Sequence, residues 1–159
     1  RAQASLWNRS DESSGDLFGF DLREPTSSGD WRVDPLGYSS PIAKPFANFQ
    51  DAGLLTTPIF RFWRITPREA SHLLIDLGFT TGDPCLVRRS LGSGWVAALL
   101  SLPQSGTQTG SSSEEAWNAM ATWPSFVPIM QKIMETIIGG AEQAMNLSVG
   151  EPVVCSIAR

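Results

Sequence analysis

Three side chains of this 159-residue chain carry the imidazole or thiol groups of nucleophilic and metal chemistry: His72, Cys85 and Cys155. A cysteine or serine nucleophile needs a base within reach to take its proton. His72 is the only histidine, so a hydrolase or transferase built here would have to bring Cys85 and His72 together. Cys85 opens a strand rather than standing on the strand-to-helix elbow that exposes a nucleophile. A metal site needs three or four converging ligands, and no such set accompanies His72. Its reading is a polar residue on a strand's outer face. Each cysteine reads as a small buried hydrophobe.

Other chemistry-like patterns have plain structural readings. Gly92-Ser93-Gly94 lacks the Lys-Ser/Thr of a phosphate loop and precedes a strand, so it reads as a hairpin turn. Asp11-Glu12 and Glu114-Glu115 are adjacent carboxylates, and neighbours on a helix point apart. Glu114-Glu115 instead suits the start of a short helix over 116–121. Trp117 and Trp123 bracket that helix and close the core edge; a ligand platform is their alternative role. No residue of the sequence stands out as catalytic, cofactor-binding or metal-ligating.

The elements that would position these groups follow from periodicity. Hydrophobic residues make up 42% and charged residues 18%, enough apolar content for one globular unit. Twelve basic against sixteen acidic residues leave a net charge of -4, which disfavours a nucleic-acid surface. No run reaches the ~18 apolar residues that span a bilayer. Residues 1–40 read as mostly irregular, with a turn at "DPLGY". "SSPIAKPFANFQDAGL" predicts a short helix that Pro45 disturbs. "TPIFRFWRI" alternates as a strand, with Ile59, Arg61, Trp63 and Ile65 on one face. Leu73, Ile75, Leu77 and Phe79 fall at period two, with His72, Asp76 and Gly78 opposite. A hairpin follows at 85–102, placed at or next to the sheet centre. Its second half, Trp95 to Leu102, is nearly all apolar, as in a strand covered on both faces. In "WPSFVPIMQKIM" and beyond, Phe126, Ile129, Met130, Ile133, Met134 and Ile137 trace one face of a core helix over 126–138.

The order of "DPLGYSSPIAKPF", "GLLTTPIFRFWRI", "TTGDPCLVRRSLGSGWV" and "AWNAMATWPSFVPIMQKIM", followed by "NLSVGEP", resembles the later part of BatA-like, aerotolerance-regulator-type bacterial proteins. Those are membrane-anchored and carry a von Willebrand factor A domain and a degenerate class I glutamine-amidotransferase-like domain. The resemblance covers roughly residues 30–152. It implies a three-layer, flavodoxin-like α/β unit with a mixed sheet. The unit would occupy 1–140 and be part of a larger protein, with 141–159 a linker and the start of a β-rich region. It also implies a soluble, periplasmic domain of a membrane-anchored parent, with other cell-envelope proteins or domains of the same chain as partners. The late strand ends "LLSLPQSGTQ", without the His-x-Glu pair of active amidotransferases, so no catalytic residue is carried over. The expected function is therefore a non-catalytic scaffold or interaction domain. Alternatives are a hydrolase or transferase with a non-standard site near Cys85 and His72, and a small-ligand binding module.

Overall fold

In a computed structural model the described residues are 2–13, 16–48, 53–69, 71–92, 94–103 and 117–142. They form helix α1 (Ala2–Ser13), strands β1 (Phe20–Pro25), β2 (Val33–Asp34), β3 (Trp63–Pro67), β4 (Leu74–Phe79), β5 (Pro84–Leu91) and β6 (Gly94–Leu99), and helix α2 (Phe126–Glu142). The protein is thus a mixture of helices and antiparallel sheet. No described helix is long and apolar enough to cross a membrane.

One sheet has the order β2-β4-β5-β6 and a second pairs β1 with β3. Every ladder among the described residues is antiparallel, where the expectation was a mixed sheet. For β4-β5 and β5-β6 the reason is connection length: "TTGDP" and the two-residue turn between Leu91 and Gly94 are too short for anything but a return hairpin. At that turn Gly92 takes φ 59°, the left-handed region that a tight hairpin needs. The hairpin is where it was read, with β5 inside the sheet. β6 lies at the edge among the described strands, and Trp95 to Leu99 are half-buried, not covered on both faces.

The core is aromatic at its centre. Phe62 stacks on Phe79 with ring centroids 4.0 Å apart, and Trp31 meets Phe62 edge-on at 5.3 Å. Around them Phe20, Ile42, Ile59, Leu77, Leu86 and Val87 are fully buried. Ile59 and Phe62 are both buried, so the alternation read over "TPIFRFWRI" breaks. Only Trp63–Pro67 is a strand, while Ile59 makes isolated bridges to Trp31 and Asn118.

Other local expectations also change. Residues 1–40 are not mostly irregular, since they hold α1 and β1. "SSPIAKPFANF" gives a single 3-10 turn, Lys44–Phe46, with Pro45 inside it, as a missing N–H and a fixed φ favour. The helix read over 116–121 is a 3-10 turn at Met120–Thr122. Residues 143–159, including the expected linker and Cys155, lie outside the described residues.

Helix α2 packs on β6 through Ile129 and Ile133, with Phe126 and Ile137 half-buried against the core. The core-helix reading holds for this face only. Met130 and Met134 belong to the same sequence stripe, yet Met134 is 54% exposed and Met130 38%. The apolar arc is wider than one face on the sheet can cover. Its outer part, with Val127 and Ile138, stays open.

Candidate functional site

Cys85 and His72 are not brought together. Between β4 and β5 the register slips twice: Ile75 faces Val87 while Leu77 faces Leu86, and Gly78 faces Pro84. The first slip leaves Asp76 as the extra residue and the second leaves Cys85. Cys85 is 0% exposed inside the core, and burial pushes its thiol well above the usual range. His72 stands just before β4 and is exposed, as read. The thiol therefore lacks both solvent and base. No group of three or more His, Cys, Asp or Glu residues able to hold a metal occurs among the described residues.

Asp76 is the larger surprise. The period-two reading put it on an outer face with His72 and Gly78, but it is buried. A bulge re-aims the side chain it carries. Asp76 accepts from Arg88 Nε at 2.6 Å and from the Ser40 hydroxyl at 2.8 Å. Ser40 in turn accepts the Ile42 N–H at 3.1 Å, and the Arg88 guanidinium lies 4.8 Å from the Trp95 ring centre. Both carboxylate oxygens of Asp76 accept a hydrogen bond in this chain of contacts. The network ties the segment leading to Phe46 onto the sheet.

A second cluster fastens α1. Arg68 donates to Asp11 at 2.8 Å, Asp16 at 2.5 Å and Asp21 at 2.7 Å, and Arg89 donates to Asp16 at 3.1 Å. Burial raises the Asp16 pKa, but the Arg68 and Arg89 hydrogen bonds and charges outweigh it and hold the carboxyl below its ordinary value. Asn8 adds a contact of another kind. Its side-chain oxygen accepts the Leu22 N–H at 2.8 Å and its amide donates to the Leu22 carbonyl at 3.1 Å. The carboxamide thus occupies the position that a neighbouring strand's peptide group would take on β1.

Beside that contact runs an open groove of about 660 Å³, lined by Asn8 of α1, Leu22 and Arg23 of β1, and Thr26, Trp31 and Arg64 among others. Its size falls within the roughly 300–1,000 Å³ of small-molecule sites. Arg23 Nε donates to Thr66 at 2.7 Å, and Arg64 has an ionic contact of 3.6 Å with Asp83.

Trp117 and Trp123 do not form a shared platform. Trp117 packs on Trp63 with centroids 5.6 Å apart, and its carbonyl accepts the Phe60 and Arg61 N–H groups. Trp123 closes over Gly53, where a Cβ would fall 2.7 Å from the indole. Both serve the core edge, as read.

No family model matches the chain, and no curated protein matches it. Among solved structures, it is similar to the cytoplasmic protein STM3548 of Salmonella typhimurium, with a TM-score of 0.57 and 14% identity. The match covers 82% of this chain and 47% of that one. The chain thus spans about half the length of its structural neighbour. At this identity the likeness concerns fold alone.

Proposed function

We propose that this chain is a non-catalytic interaction domain, working as part of a longer protein. The observation that carries the reading is the outer apolar arc of α2. Val127, Met134 and Ile138 are 60%, 54% and 52% exposed on a helix whose other face is already committed to β6. Large exposed apolar patches mark surfaces that meet another protein surface. The neighbour of similar fold belongs to a chain about twice the length matched. This supports another domain of the same parent as the partner. The BatA-like, amidotransferase-like parentage and a cell-envelope setting rest on motif order alone and form part of the same proposal.

The test is side-chain accessibility in context. Met134→Cys in a Cys155→Ser background is labelled with a maleimide, once in this chain and once in the full parent protein. Slow labelling in the parent and fast labelling in the isolated unit is the expected result. Equal rates would remove the docking role of α2.

A further inference from the structure

We propose that the outer edge of β6, beside α2, takes an extended, uncharged segment of a partner as the next strand of the sheet. This deepens the docking reading of α2 and rests on it. The first observation is the edge itself. The β5-β6 ladder runs from Leu86↔Leu99 to Leu91↔Gly94 without a register shift. The Leu100 N–H donates to the Cys85 carbonyl at 2.9 Å, which makes those two a hydrogen-bonded pair. Bonded and unbonded pairs alternate along an antiparallel ladder. Trp95, Ala97 and Leu99 therefore direct their N–H and C=O groups away from β5. Among the described residues no strand and no side chain meets those groups. Proline, charge and bulges are what blunt an edge. Residues 94–102 contain no proline and no charged side chain, and the ladder is regular. Such an edge is a template for strand addition.

The second observation is α2. It packs on β6, the outermost described strand of its sheet. A helix is roughly 10 Å wide and strands lie about 4.8 Å apart, so a helix seated on an edge strand projects past it. Val127, Met130, Met134 and Ile138 are the exposed apolar residues of that helix. One added strand would pair with β6 and cover part of this arc. The same geometry selects the occupant. A second copy pairing antiparallel through its own β6 would bring its α2 over the adjacent strand, about 5 Å away. Helices pack no closer than roughly 8 Å. A strand that carries no such helix fits. Its side chains are uncharged, because neither β6 nor the arc offers an ionisable partner, and an unpaired charge is costly to bury.

The probe is a fluorescein-labelled nonapeptide of alternating threonine and valine, followed by anisotropy on the full 159-residue chain. Two further versions carry N-methyl groups on all threonine or on all valine amides. Saturable binding is expected for the unmethylated peptide and for one methylated version only, because alternate amides of a strand face its neighbour. Ala97→Pro removes an outward N–H and spares the β5 ladder, as proline on an edge does. It should weaken binding at least about tenfold, and so should Met134→Lys, which sets a charge beside the added strand. Circular dichroism melts establish that both variants are folded, and the methylated peptides decide the matter without any variant. Equal binding of the two methylated versions, or no binding to the full chain, would overturn the proposal. Undiminished binding by Ala97→Pro with loss in Met134→Lys would also overturn it, while leaving α2 as a docking surface that uses side chains alone. Equal Met134→Cys labelling in the unit and the parent would instead remove the α2 reading. A dimer that Ala97→Pro dissociates would assign the edge to a second copy. Binding that appears only on removal of residues 151–159 would assign it to this chain's own end. Either result overturns the partner strand.

Discussion

Asp76 and Arg88 meet 2.6 Å apart, their side chains 2% and 13% exposed, because a bulge in β4 turns the carboxylate inward. Removing one partner would leave the other charge buried and unpaired. Asp76→Ala should therefore cost about 3–5 kcal/mol. Replacing both, as in Asp76→Leu/Arg88→Met, exchanges the pair for apolar volume and should restore much of that loss. Urea midpoints of the two singles and the double decide the matter. A double variant as unstable as the sum of the singles would show that the pair is not a unit.

The Arg68 cluster makes a pH prediction. The Asp16 carboxyl lies below its ordinary pKa in the folded chain. Its contribution to stability is thus complete above the unfolded value, about 3.9, and is lost as pH falls through the lower folded value. Asp16 is 38% exposed, so solvent screening keeps its share small, below about 1 kcal/mol. Acidification should loosen the contacts of Asp16 with Arg68 and Arg89 before the sheet melts, by no more than that share. Trp7, packed 4.9 Å from Phe18, would report this as a fluorescence change below about pH 4. Arg68→Gln should show much of that change already at neutral pH. An acid transition identical in wild type and variant would remove Arg68 from the fastening.

Two residues one step apart on α2 test how much of its stripe is core. Ile133→Ala should destabilise by about 2–5 kcal/mol, because its side chain is buried in the core cluster with Ile129. Met134→Ala should fall within about 0.5 kcal/mol of wild type, as surface changes do. Similar losses for both in thermal melts would mean that Met134 is covered within this chain.

What the sequence made legible is set by which signals are local. The β4 and β5 strands, the hairpin turn and the α2 helix carry their own periodicity and turn residues, and they occur close to the expected places. Helix α1 carries none. "AQASLWNRSDES" has no apolar stripe, and the helix is fastened by partners at Leu22 and Arg68 far along the chain. Asp76 left a trace, an acid inside "LLIDLGF", but period two assigned it to solvent. A bulge is a property of the pair of strands, so neither strand alone announces it. The α1 groove is still less legible. It joins residues from α1, β1 and β3, and no spacing in the sequence links them.

Cys85 supplies the remaining prediction. A thiol reacts as its thiolate, so reactivity depends on both pKa and access. Here burial alone pushes the pKa up, and no cation offsets it. The residue also sits in the second bulge among Leu86, Val87 and Leu77, all buried. In a Cys155→Ser background, Cys85 should resist an aromatic disulfide reagent in native buffer and react fully in denaturant. Its rate should follow global unfolding, so that Ile133→Ala speeds the reaction in proportion to its lost stability. Raising the pH to 9 should speed the native reaction only by the factor it speeds the denatured thiol, because the reaction proceeds from the exposed state. Rapid native labelling that His72→Ala suppresses would reverse this account. It would show the imidazole activating the thiol, and it would restore the nucleophile that the burial of Cys85 argues against.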